Sequence, residues 1–350
     1  NMILDNLSLP IAIDLGTSNT LAAVPGKGVI FEEPTVVARL KKKPGVMPKP
    51  LAFGKKAKAM IGRQPEIMEI INPLRRGVIA DFDAAVDFLS YLLRIVGELP
   101  SRWPRLLRPK AVIGVPSGIT AVEKRAVRAV ALGAGIGRVF LVEEPMAAAV
   151  GIGLVVNKPA GNLLIDIGGG TTEIAVISLG GIVLHRCLKI GGNNLDELLV
   201  NFFRLKYGLL VGLPTAEKVK IKIGSVLPLK KNSIKQISVR GRDLETGLPK
   251  TIIVGEEEVR EALSPIIQEI SLNLTELLEE VPPEITTDIS KRGIVLTGGC
   301  SQLKGMEQMI ARETKMPAWA VDYPFEAVVR GGVKLLENEK LLQALMVIKT

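Results

Sequence analysis

Only two cysteines, Cys187 and Cys300, occur among the 350 residues, and no CxxC or metal-ligand spacing joins them, so neither a disulfide framework nor a thiolate metal site is expected. Histidine is scarcer: His185 is the single one, which rules out a His-rich zinc cluster and fits a structural or surface role. Long apolar runs are missing too. The best candidate, from Val139 to Val156, is broken by Glu143, Glu144 and Pro145, whereas a membrane-spanning helix needs about 20 apolar residues. No basic segment precedes an apolar one near the start, so no secretory leader is expected and the chain reads as cytoplasmic. No GxxxxGK[ST] run occurs and no GxGxxG opens a helix after the first strand, which argues against a P-loop and a dinucleotide fold.

What remains is a glycine-rich, apolar chain. Hydrophobic residues make up 47% and aromatic residues 4%, with 35 glycines, a composition suited to an α/β protein with tight turns. The length exceeds what one hydrophobic core usually serves, so at least two domains are expected. A net charge of +9 and a pI near 9.5 favour an anionic partner, acidic lipid headgroups or nucleic acid. No aromatic-interleaved basic platform or helix-turn-helix pattern supports nucleic acid.

The most informative feature is an internal echo. Residues 11–20 (IAIDLGTSNT) resemble residues 164–172 (LIDIGGGTT), each a short apolar run ending in Asp-x-Gly, then small polar residues, then a second apolar run. Each copy predicts a β-hairpin, and Gly180 and Gly181 extend the second into a meander. A repeat separated by about 150 residues points to duplicated domains and not to a solenoid. Helices and strands then alternate. Helical spacing runs from Asp83 to Val96, a buried strand spans Lys110 to Val115, and Thr120 with Glu123 forms a capping box for a helix through Leu132. Strand Phe140 to Val142 precedes an Ala-rich helix at Glu144 to Gly151. The second half repeats the order with a helix from Glu256 to Leu278, a strand from Gly293 to Leu296 and a turn at Gly298 and Gly299. This alternation predicts mixed, mostly parallel sheets covered on both faces. Two stretches, 31–73 and 193–254, interrupt the pattern and read as inserted packed units.

In the first Asp-Gly turn, small residues from Asp14 to Thr20 offer backbone N–H groups and hydroxyls that can line phosphate oxygens, beside a carboxylate suited to a hydrated cation. The second turn offers the same through Gly168, Gly169 and Gly170, where the backbone can approach phosphate closely. Facing one another, the two loops would clamp a nucleotide. A divalent ion would be held by oxygen ligands, water and substrate phosphates, as Mg²⁺ prefers.

The strings IDLGTSNT, VPSGIT followed by VEKRAV, EEPMAAAVG, DIGGGTTEIAVISLGGIV and LTGG resemble the MreB family of bacterial actin homologues across nearly the whole chain. The resemblance implies an α/β fold of duplicated actin-like (ribonuclease H-like) domains, mixed sheets flanked by helices, with a nucleotide cleft between two lobes. It implies subdomain IA at 1–30 and 74–140, IB at 31–73, IIA at 141–190 and 255–350, and IIB at 191–254. ATP or ADP with Mg²⁺ is the implied cofactor, with Asp14 and Asp166 holding the metal largely through water. Gly16, Thr17, Ser18 and Asn19 would face the β-phosphate, and Gly168, Gly169, Gly170 and Thr171 the γ-phosphate. Glu144, Asp166 and Thr171 would serve hydrolysis, Glu144 by orienting water; its neighbour Glu143 is the other candidate. Gly192, Glu217, Lys220, Gly298 and Gly299 would meet the nucleoside. The chain departs from the family at Cys300, where glycine is usual, and at Asn193 and Lys222, where acidic residues are usual.

By the same resemblance the chain is expected to be a filament-forming ATPase that partners itself in protofilaments, lies on the inner face of the cell membrane and works with cell-wall elongation membrane proteins. Other filaments of the superfamily, serving plasmids or organelles, and a small-molecule kinase are the alternatives, though no spare motif supplies a second substrate pocket. Between Gly97 and Lys110, Trp103, Leu106 and Leu107 lie among arginines, a composition suited to an interfacial loop on anionic lipid. The apolar stretch from Met2 to Leu9 lacks Lys and Arg, and the loop is favoured over it.

Overall fold

A computed structural model of the chain describes residues 10–41, 48–97, 108–228 and 235–347. The first half opens with a meander of β1 (Pro10–Leu15), β2 (Asn19–Val24) and β3 (Gly28–Pro34). A small sheet follows, made of β4 (Val37–Leu40), β5 (Pro50–Phe53) and β6 (Met68–Ile71), with the short helix α1 (Gly54–Lys58) beside it. A two-stranded ribbon, β7 (Leu74–Arg75) and β8 (Val78–Ile79), leads into α2 (Phe82–Gly97), β9 (Lys110–Val115), α3 (Ala121–Ala134), β10 (Arg138–Glu143) and α4 (Glu144–Gly151). The expected capping box starts α3: Thr120 N donates to Glu123 Oε2 at 2.8 Å, and Glu123 N donates to Thr120 Oγ1 at 3.2 Å.

The second half repeats the plan. Strands β11 (Asn162–Ile167), β12 (Thr172–Ser178) and β13 (Gly181–Leu188) form its meander. Helix α5 (Gly192–Tyr207), β14 (Leu209–Leu210), α6 (Leu213–Ile223), β15 (Gln236–Asp243) and β16 (Pro249–Gly255) come next, the three strands forming one sheet. The chain continues through α7 (Glu256–Glu280), α8 (Pro283–Arg292), β17 (Ile294–Thr297), α9 (Met306–Thr314), β18 (Ala318–Ala320), α10 (Ala327–Glu337) and α11 (Glu339–Leu345). The main sheets run in the orders β10-β9-β1-β2-β3 and β13-β12-β11-β17-β18. In each, the meander pairs antiparallel and the other two strand pairs are parallel. The sheets are therefore evenly mixed where mostly parallel sheets were expected, because each meander supplies two hairpin contacts.

Strand parity explains how the sheets pack. Ile11, Ile13 and Leu15 of β1 enter the outer core with Phe88 and Leu89 of α2, while Ala12 turns to the other face. In β11, Leu163, Ile165 and Ile167 join the outer core of the second sheet, and Leu164 turns toward a seam shared with Val112, Val142, α4 and α10. That seam core contains side chains of both main sheets.

The expected boundaries shift in three places. Strand β3 extends the first main sheet to Pro34, past the start expected for the insert at 31, since Glu32, Glu33 and Pro34 still pair with β2. Strand β10 runs through the break set at 140 and belongs to the first sheet throughout. Helix α10, expected within the 255–350 segment of the second lobe, lies instead against β1 and α4. Gly331 lets it do so: a Cβ there would stand 1.8 Å from the Ala147 carbonyl oxygen, and one at Gly332 2.8 Å from Ala12 Cβ. Val347 N then donates to Leu141 O at 2.9 Å, fastening the end of the described chain to β10.

Trp103, Leu106 and Leu107, the candidate membrane loop, lie outside the described residues, as does the segment from Met2 to Leu9. Among the described residues no helix is long and apolar enough to cross a membrane.

Candidate functional site

The parity that turns Ala12 and Leu164 away from the outer cores turns Asp14 and Asp166, two residues on, the same way. Both aspartates line a single open cleft of about 1020 Å³ between the two halves. Gly16, Thr17, Ser18 and Asn19 form part of its wall from the first half; Gly168, Gly169, Gly170 and Thr171 form part from the second. Glu144, at the start of α4 directly after β10, lines the same cleft, as do Gly192, Glu217, Lys220, Gly298 and Gly299. Every nucleotide-site residue expected from the sequence therefore faces one cavity. Glu143, the other candidate for orienting water, is the last residue of β10 and is not among the lining residues.

The two loops touch. A Cβ on Gly169 would fall 2.0 Å from Ser18 Oγ, and one on Gly170 2.5 Å from Thr17 Oγ1, so only glycine permits the approach. The Ser18 hydroxyl donates to Asn193 Oδ1 at 2.7 Å, and Gly77 N donates to Thr17 Oγ1 at 2.9 Å. Backbone bonds tie the second loop to the start of α5: Gly192 N donates to Gly168 O at 2.9 Å and Asn193 N to Gly169 O at 2.8 Å. Lys220 Nζ donates to Gly192 O at 2.7 Å and pairs with Asp196 at 2.8 Å, which fixes this lysine as a brace of the cleft wall.

Carboxylates crowd the deep end. Burial, then the neighbouring charge of Asp166, pushes Asp14 up to about 7. Asp166 is raised by burial to about 6, opposed by the Thr297 hydroxyl that donates to its Oδ2 at 2.8 Å. Glu144 is raised well above the usual carboxylate range by burial and by the charges of Glu173, Asp14 and Asp166. Such a cluster is costly without positive charge, and oxygen ligands of this kind suit a hard divalent cation such as Mg²⁺. No group of three or more His, Cys, Asp or Glu among the described residues converges as a metal cage, so an ion here would draw its remaining ligands from water and substrate.

Sequence reasoning passed over Glu173. It pairs in register with Asp166 across the second meander, is only 1% exposed, and is pushed up to about 7, chiefly by burial. Ser117, two residues past the end of β9 in the other half, donates to it from N at 3.0 Å and from Oγ at 2.9 Å. The available signal was a lone acid inside the otherwise apolar run of β12. Ile221 and Phe325 were passed over too; both are exposed residues that line the same cleft. Of the departures, Asn193 and Cys300 line the cleft, whereas Lys222 is exposed on α6 and is not among the lining residues. Burial holds the Cys300 thiol neutral, pushed up to about 11.

A family model described as MreB/Mbl protein matches residues 8–344. The chain is similar to the cell shape-determining protein MreB of Escherichia coli strain K12, with 42% identity over 327 residues that cover 93% of each chain. It is similar to the cell shape-determining protein Mbl of Bacillus subtilis strain 168, with 41% identity over 331 residues, 94% of this chain and 96% of that one. Among solved structures, MreB 5 of Spiroplasma citri bound to AMPPNP matches with a TM-score of 0.86 and 34% identity, covering 95% of this chain and 97% of that one.

Proposed function

The chain belongs to the MreB/Mbl family, and on that premise we propose that it binds ATP in the cleft, hydrolyses it as it polymerises, and acts as a cytoskeletal filament on the inner face of the cell membrane, where it organises cell-wall synthesis. The observation that carries the proposal is the convergence of both Asp-Gly turns, from duplicated halves, on one cavity with Glu144 at its wall. The AMPPNP in the similar Spiroplasma protein supports a nucleotide as the occupant.

In this reading the two glycine-bearing loops hold the phosphate chain, Gly16 to Asn19 facing its β-phosphate and Gly168 to Thr171 enclosing its reactive end. Mg²⁺ beside Asp14 and Asp166 would supply charge neutralisation for the phosphate oxygens. The protein's part in phosphoryl transfer to water is positioning more than covalent chemistry. Glu144 accepts a hydrogen bond from the attacking water at a carboxylate oxygen and so aims it in line with the bond that breaks. A nucleotide held between two main units and their two inserts would let its phosphate state bias their relative angle, and with it the shape presented to the next protomer.

The test couples phosphate release to pelleting of polymer with ATP, with ADP and without nucleotide. Glu144→Ala is expected to keep ATP binding near the wild-type level and to slow phosphate release by about 10²-fold or more, the scale on which positioned acid–base groups act. Unchanged release in that variant removes Glu144 from the mechanism, and absence of any ATP binding by the wild-type chain removes the proposal.

A further inference from the structure

Glu217 has a partner on the opposite wall. Lys58 is the last residue of α1, beside the small sheet of the first half, and Glu217 lies on α6 in the second half. The Lys58 ammonium stands 2.8 Å from Glu217 Oε1 and 2.7 Å from Oε2, so one cation grips both oxygens of a residue 159 positions away. The pairs Arg260–Glu257 and Arg330–Glu326, by contrast, join residues three and four positions apart in the chain.

The pair also forms part of a partition. Behind the main cleft lies a second cavity of about 680 Å³, lined by Lys58, Asn72 and Asp196 among others. Thr17, Ser18, Asn193 and Glu217 line both cavities. Two contacts therefore stand between them, each joining one half to the other: Ser18 to Asn193, and Lys58 to Glu217. Neither is sealed from water, the Lys58 and Glu217 side chains being 34% and 29% exposed. An ion pair of that exposure is weak enough to open on its own and is screened by salt.

We propose that Lys58 is a positioning residue of the nucleotide site, which holds the Glu217 carboxylate at the nucleoside end and straps the two inserted units together over the cleft, so that nucleotide departs only after the pair parts. The proposal rests on the nucleotide assignment above. Glu217 is the shared element: it lines the cleft while its charge is matched from the far wall, so the strap and the nucleoside contact form and break together.

Release of the fluorescent analogue mant-ATP, bound with Mg²⁺ and chased with unlabelled ATP, tests this on the full chain. Lys58→Met is expected to release it about three- to five-fold faster than wild type at low ionic strength, the scale of a half-exposed ion pair. Raising the salt should speed release more from wild type than from the Met variant, because the charged nucleotide is screened in both but only wild type has the Lys58–Glu217 pair to screen. Lys58→Arg, which keeps the charge, should retain most of the slow release and the salt response. Equal release rates and equal salt responses in wild type and Lys58→Met, both binding mant-ATP, overturn the strap alone. Failure of the wild-type chain to bind mant-ATP overturns the nucleotide assignment and the strap with it.

Discussion

At the scale of single residues, the deep end of the cleft is defined by carboxylates placed where apolar side chains would otherwise continue the strand pattern. Asp14 is the clearest case, with its pKa near 7 in the folded chain against an ordinary 3.8. A raised carboxylate binds its proton more tightly in the folded state than in the unfolded one, so its contribution to stability falls as pH rises between those two values and is flat above them. In nucleotide-free protein, Asp14→Asn should therefore melt higher than wild type at pH 8, and the gap should close as the pH is lowered toward 4; thermal melts across that range check the sign. A gap independent of pH would remove the ionisation of Asp14 as its cause. Both aspartates were legible from the sequence because each sits in a repeated Asp-x-Gly turn. Glu173 was not, because its first-half counterpart by register is Leu21, and an echo search keeps only what the two copies share.

Among elements, α10 joins regions that the sequence keeps far apart. The hairpins, the α3 capping box and the long α7 were legible because turn chemistry and helical spacing are local. The docking of α10 on β1 and α4 was not: helical spacing gives an amphipathic face but not the surface it covers, and Gly331 carries no mark that separates close helix contact from an ordinary surface glycine. Strand β3 escaped for a related reason, since Glu32 and Glu33 follow its short apolar run and blur the alternation. Gly331→Ala would press a methyl group into the Ala147 carbonyl. The expected cost is about 1–3 kcal/mol from overpacking, read as a lower denaturation midpoint in urea. Gly247→Ala provides the control at a turn where a Cβ meets nothing within 4 Å. Its positive φ of 73° gives that substitution a strain penalty of its own, about 1 kcal/mol, so the packing effect is the difference between the two.

For the molecule as a whole, the net charge of +9 and the arginine-flanked Trp103 segment bear on where filaments would lie. We expect the full chain to co-sediment with vesicles containing anionic lipid, less so as salt rises, and the double variant Trp103→Ser, Leu106→Ser to lose most of that binding. Retention of wild-type binding by the variant would shift the contact elsewhere on the chain. Two lobes, their sheets and their shared cleft were legible from the duplication, but the route of the chain between them was not. It passes from the first sheet to the second after α4, and returns between β18 and α10. Two covalent crossings fix a line, much as a pair of pins fixes a door, and the easiest relative motion of rigid bodies joined in that way is a swing about it. Were a ligand to change the distance between the Gly16–Asn19 and Gly168–Thr171 loops across the cleft, a swing of that kind would carry the change out to the inserts.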